Sequence, residues 1–217
     1  MPPVRHVRRT QGPATTSSTR RRRLFRGTAD RERGAAIIEG AIVAPVFFLL
    51  ILGLFDGAWA LFGDHVIQGG ASAGVRTASA LANDADADYN ALQAVKKNLS
   101  GLGKAKLIRV VVYKANGFGD PPTTGCRGGT PSTGICNVYD GTDLEAGATA
   151  FGCVNSSSLD WSWCPATRKT AVQGANSPPD YVGVWILARH VPLTGIVTSA
   201  ARDITTQSVL RIEPRAR

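Results

Sequence analysis

Hydrophobic and polar positions change rhythm several times along the 217-residue chain, and each change marks an element. From Gly40 to Phe55 the sequence GAIVAPVFFLLILGLF contains no charge, and from Ala35 to Phe62 the run is broken only by Glu39 and Asp56. As a helix that longer stretch measures about 42 Å, more than the ~30 Å hydrocarbon core of a bilayer. The core helix of a soluble domain keeps a polar face, and FFLLILGLF has none. The pattern predicts a transmembrane segment over about 36–62. Beyond it, in GDHVIQGGASAGVRTASALA, the residues Val66, Gly70, Ala73, Thr77 and Ala80 recur at helical spacing and are mostly small. Such a stripe suits close packing, and Gly53/Gly57 and Gly70/Gly74 add the spacing of close helix pairs. The expectation is one long helix over 35–82.

DADAD (84–88) ends that helix and opens another, on which Leu92, Val95 and Leu99 share a face, with Gly101 or Gly103 as its stop. Strands are expected at 107–114 (LIRVVVYK), 181–191 (YVGVWILARHV) and 204–212 (ITTQSVLRI), all rich in β-branched and aromatic residues. ATAFGCV (148–154) is a candidate for a short extra strand. The stretch 115–180 is dense in Gly, Pro, Ser and Thr and reads as a long loop. These elements make an α+β fold with an antiparallel sheet.

Charge changes the picture at one end only. Residues 1–34 hold ten arginines against Asp30 and Glu32, so +8 of the formal +9 resides there. Pro, Thr, Ser and Arg dominate 1–33, which reads as disordered. A nucleic-acid-binding domain would carry its positive charge on a folded face, so nucleic acid is not an expected partner. Ahead of an apolar run the arginines act instead as an orientation signal: the leader stays cytoplasmic, the bilayer is crossed once, and 83–217 forms an extracytoplasmic head. That compartment permits disulfides. Cys126, Cys136, Cys153 and Cys164 all fall within the long loop, with no zinc-type spacing and no histidine nearby. Of the three ways to pair them, the local one (126 with 136, 153 with 164) is favoured because it keeps each loop tip compact.

No catalytic constellation emerges. His6 lies in the leader, His65 at the membrane exit, and His190 at the end of a strand, where a surface position is expected. There is no Gly-rich phosphate loop, nucleophile elbow or HExxH. DADAD fails as a calcium loop, with Tyr89 at its sixth position and Val95 at its twelfth. Trp59 stands where an interfacial anchor belongs, and Trp161, Trp163 and Trp185 suit a small core or the disulfide loop. The chain reads as a non-enzyme without cofactor or metal.

The most informative residues are RERGAAIIEGAIVAPVFFLLILGLFDGAWALF. Gly34 follows charge, an apolar helix follows Gly34, and Glu39 is the fifth residue after it. This is similar to a type IV pilin-type signal. With GASAGVRTASA, DYVGVWILARHVPLTG and VLRIEP the chain resembles the TadE-like family of Flp/Tad (type IVb) pilus assembly proteins, most strongly over 33–77 and more loosely over 180–214. Gly40 stands where that family often has Phe. The resemblance implies a pseudopilin-like architecture and cleavage by a prepilin peptidase between Gly34 and Ala35. It also implies a structural role, as a minor subunit or membrane-embedded assembly factor among other Tad pilus subunits. A carboxylate inside a bilayer needs a partner. Cleavage would create an amine on Ala35 that can pair with Glu39 of a neighbouring subunit; the alternative is that Glu39 snorkels to the headgroups. Two other readings fit the same residues. One is a secreted disulfide-bonded binding module released after Ala60, with Ala58-Trp59-Ala60 as the signal-peptidase site. The other is an uncleaved single-pass envelope interaction protein.

Overall fold

The computed structural model describes residues 26–102, 106–175, 177–192, 194–195 and 200–214, with side chains from Gly34 onward. The chain divides into two units, Met1–Phe48 and Leu49–Arg217. The described part of the first is the opening stretch of helix α1, Arg26–Leu81, a 56-residue helix that runs on into the second. The leader expected to be disordered lies outside the described residues up to 25, but 26–33 are helical. The alanine, glutamate and arginines of RGTADRER favour a helix while Gly27, Thr28 and Asp30 do not, and a helix already nucleated in the apolar run extends back through them without a second nucleation cost. Pro45 sits inside α1. It removes one backbone donor, a defect that apolar membrane helices commonly tolerate.

The second unit is a layer of helices on a four-stranded sheet. On α1, Ile67, Ala71, Val75 and Ala78 are completely buried, spaced by four, four and three. That is not the stripe expected from the sequence. Of Val66, Gly70, Ala73, Thr77 and Ala80 only Gly70 is buried, Ala80 is exposed, and the others are half-buried. The glycines explain the rotation. A Cβ on Gly70 would lie 2.3 Å from Leu99 Cδ1, and one on Gly74 would lie 2.6 Å from Val95 Cγ2. The seam therefore centres on residues 67, 70, 71 and 74, where helix α2 (Ala87–Leu99) crosses antiparallel to α1. Leu92 and Val95 of α2 are buried and Leu99 packs beside them, the face expected from their spacing. A 3₁₀ turn, Ser100–Leu102, ends α2.

Strands β1 (Lys106–Ala115), β2 (Cys136–Asp140), β3 (Tyr181–His190) and β4 (Arg202–Arg211) form one antiparallel sheet in the order β2-β1-β3-β4. Its central rungs align Val138, Val111, Trp185 and Gln207. Val110, Val112, Val182, Val184, Ile186 and Ala188 face the helices. Val111, Tyr113, Val138, Trp185 and Val209 build a smaller core on the other face, under the Cys126–Cys136 bridge and the short helix α3, Thr124–Gly128. A central strand buried on both faces accounts for the unbroken VVVY run in β1.

Three strands lie where the sequence placed them, within two residues at their ends. The fourth does not. ATAFGCV is not a strand: Ala148–Ala150 is a 3₁₀ turn, and Gly152 and Cys153 both take positive φ (97° and 54°), which no ladder accommodates. The extra strand is β2.

The close approach at Gly74 yields a stability prediction. Gly74→Val should lower the stability of the full chain in detergent by about 1–3 kcal/mol, because Val95 and the Ala91 carbonyl leave no room for it. Gly69→Val, with nothing within 4 Å of its Cβ, should change stability by less than about 0.5 kcal/mol. Paired thermal denaturation of the two variants checks both.

Candidate assembly surface

From Gly34 to Phe48 α1 is apolar apart from Glu39 and exposed apart from the half-buried Ala44. Ile37, Ile38, Ile42, Val43, Val46, Phe47 and Phe48 each leave more than half their surface open. The run continues through Leu49, Leu50, Leu54 and Phe55 at the start of the second unit. No fold interior covers this surface, and the helix is long and apolar enough to cross a membrane. Glu39 is exposed on it, one acid among isoleucines, alanines and glycines. A Cβ added to Gly34 or Gly40 would meet no atom within 4 Å.

A buried carboxylate breaks this exposure, although Leu61 and Phe62 beyond it are open again. Asp56 is 9% exposed, and its carboxylate accepts hydrogen bonds from Thr194 N at 3.0 Å and from the Thr194 hydroxyl at 2.6 Å. One turn on, Trp59 stacks on Phe62 with ring centroids 5.5 Å apart. His190 is buried, not at the surface as expected; its Nδ1 would be 3.2 Å from a Cβ on Gly63, and its ring lies 6.5 Å from Trp59. The absence of a side chain at Gly63 gives the imidazole room to pack closely there. His190 serves as a packing residue between β3 and α1.

The remaining chemistry lies deep in the head. Asp88, the last acid of DADAD, and Arg168, from the long loop, form an ion pair at 2.6 Å with both side chains fully buried. The other Asp88 oxygen accepts from Asn137 Nδ2 and from the Tyr139 hydroxyl, each at 2.8 Å. Asn137 in turn accepts from Trp163 N at 2.7 Å and donates to Trp163 O at 2.9 Å. The Arg168 guanidinium lies 4.1 Å over the Trp163 ring, so a π-face meets the nitrogens Nε and Nη1, for which no described residue supplies an acceptor. Burial first, then the Asp88 carboxylate, pushes the Tyr139 hydroxyl well above its ordinary range. This cluster fastens the loop to α2 and β2. The bridges Cys126–Cys136 and Cys153–Cys164 fasten it to itself, with Cα separations of 6.3 and 5.7 Å. The described residues hold no group of three metal-ligating side chains.

Neither β2 nor the Asp88–Arg168 pair is among the sequence expectations. For β2 a signal existed: CNVYD alternates small apolar with larger polar side chains and is bounded by STG and DG turns. For the ion pair none existed, since its partners lie 80 residues apart.

Arg168→Met leaves Asp88 buried and unpaired, so it should cost about 3–5 kcal/mol in chemical denaturation, and joint replacement of both partners should cost less. A second consequence concerns alkaline pH. Tyr139 and Tyr113 both hold their protons more tightly in the fold than in the unfolded chain. Their contribution is therefore fully present below pH 10 and is lost as pH rises past that value. Melting temperature should fall as pH rises above about 10, less steeply in Tyr139→Phe.

No curated protein and no solved structure matches the chain. One family model does, described as TadE-like protein, and it covers residues 34–76, which begin at Gly34, run through the exposed apolar helix and Asp56, and end in the glycine seam. Over that segment, the N-terminal helix with its Gly34–Glu39 spacing, the chain is similar to the TadE-like family.

Proposed function

We propose that this protein is a membrane-anchored structural subunit or assembly factor of a Flp/Tad-type pilus, with its basic leader in the cytoplasm and its head outside. The observation that carries the reading is the coincidence of the family match with the exposed stretch of α1. From Ala35 to Phe55 that helix is about 31 Å long, one hydrocarbon thickness, and the carboxylate of the next residue, Asp56, is hydrogen-bonded to Thr194. The arginines before it favour the inside, and the two disulfides suit an oxidising compartment for the head.

On this reading prepilin peptidase cleaves after Gly34, the mature chain starts at Ala35, and the new amine pairs with Glu39 of an adjacent subunit inside the bilayer. Partners are other Tad pilus subunits and the lipid itself. Secretion after cleavage at Ala60 is disfavoured by a specific contact: it would remove Asp56, whose carboxylate anchors the loop at Thr194.

The test compares the wild type, Gly34→Glu and Glu39→Gln in cells. Mass spectrometry should find a mature N-terminus at Ala35 in the wild type and none in Gly34→Glu. Glu39→Gln should insert and be cleaved normally but lose surface pili, since a neighbour's amine is left unpaired in a poorly solvating region. A mature chain starting at Leu61 would overturn the whole reading. Normal piliation in Glu39→Gln would overturn the pairing.

A further inference from the structure

Around Asp56 the two sides of α1 differ. On the covered side Asp56, Gly63, Ile67 and Gly70 are buried, with Ala60 half-buried among them. Facing away from it, Leu54 and Phe55 are followed seven residues later by Leu61 and Phe62, the same positions two turns on. These four leave 47–74% of their surface open. Gly57 and Ala58 between them are exposed as well. The open apolar stripe therefore continues about 10 Å past Phe55. Charge returns to the helix, after Asp56, only at Asp64.

At the same heights the covered side faces the connection between β3 and β4. His190, the last residue of β3, packs at Gly63. Thr194 then reaches Asp56 with its amide at 3.0 Å and its hydroxyl at 2.6 Å. Between those two contacts the chain has travelled about 10 Å along the helix towards Phe55. Before β4 begins, the exposed Ala200 and Ala201 share a cleft with Asp56, Ala60 and Pro192. From Val191 to Ala201 the sequence VPLTGIVTSAA holds no ionisable side chain. The charges that flank it, Arg189 on one side and Arg202 and Asp203 on the other, belong to the strands.

We propose that the β3–β4 connection is a second membrane-contacting element, immersed where headgroups meet acyl chains, with Thr194 capping Asp56 below the lipid surface. The inference rests on the membrane reading above and adds a lipid contact made by the head itself. A bilayer surface is level across the width of one helix. Lipid that covers Leu61 and Phe62 on one side of α1 therefore stands at the same height on the other. Asp56 and Thr194 lie below that height, since Asp56 precedes Phe62 by six residues, about 9 Å of helix. Elements that rest in the interfacial layer sink about 5–10 Å into it, the depth required here. Continuity selects the occupant: Leu61 and Phe62 extend the surface of Leu54 and Phe55, and a connection free of charge can share their solvent. The same immersion gives the cap its purpose. A carboxylate at that depth needs donors that lipid does not supply, and the connection brings two.

Nitroxide labels on the full chain, one copy per phosphatidylcholine nanodisc, test this. Ala200→Cys and Ala201→Cys carry the label in the connection, Leu50→Cys in the apolar run and Phe118→Cys beside Tyr181, at the opposite end of β3 from His190. All four positions are exposed, and non-reducing peptide maps check that both native bridges persist in each variant. Molecular oxygen concentrates in lipid, a charged nickel chelate stays in water, and each relaxes the labels it collides with. Relaxation by nickel should be strong at Phe118 and lost at Ala200 and Ala201, where relaxation by oxygen should persist as it does at Leu50. Nickel relaxation at either alanine equal to that at Phe118 overturns the proposal. Loss of both relaxations at the alanines assigns the connection to a protein-enclosed site and also overturns it. Leu50 open to nickel strikes the membrane reading, whereas a shielded Leu50 with open alanines strikes only this inference.

Discussion

A carboxylate in the middle of an apolar helix must be given donors, and the way Asp56 receives them organises the rest of the molecule. Between Gly40 and Phe55 the helix offers only hydrocarbon side chains to its surroundings. At Asp56 it meets a backbone N–H and a hydroxyl from Thr194, and from there its inner face is covered by protein. One helix is thus largely open before Asp56 and covered along one face after it. The two halves obey different packing rules accordingly. Bulky residues spread around the circumference before Asp56, and glycine and alanine concentrate on one seam after it, where α2 and β3 approach closely.

The head faces a second problem, the 65 residues between β1 and β3. They contain few large apolar side chains and cannot build a core of their own. Three other devices hold them. The loop donates β2 to the sheet, it closes two small rings with disulfides, and it sends Arg168 into the interior to meet Asp88. A buried ion pair adds little net stability over apolar packing, but it tolerates no alternative partner. Its value here is to fix where the loop lies.

How much of this is legible in sequence follows from the range of each interaction. The apolar run, the second helix and strands β1, β3 and β4 are readable because their signals are local and periodic. The local cysteine pairing is the one the structure contains. The inner face of α1 differs from its sequence reading by a fraction of a turn, because small residues mark both the side that packs and the side that does not. Only Leu99 and Val95, arriving from another element, decide between them. His190 departs from expectation for the same reason: it is buried against Gly63, 127 positions earlier in the chain. The Glu39 arrangement belongs to a different category, since its partner would come from another subunit and no single chain contains it.

The placement of the two disulfides has a consequence for how the head is made. Each ring closes over ten or eleven positions, and both lie entirely between β1 and β3. A chain emerging from its N-terminus has therefore presented all four cysteines before the first residue of β3 appears. Correct oxidation requires no contact with the second half of the sheet, and any wrong pairing must span a longer loop than the right one. The thiols can be consumed early, by partners close at hand, while the strands that complete the sheet are still to come.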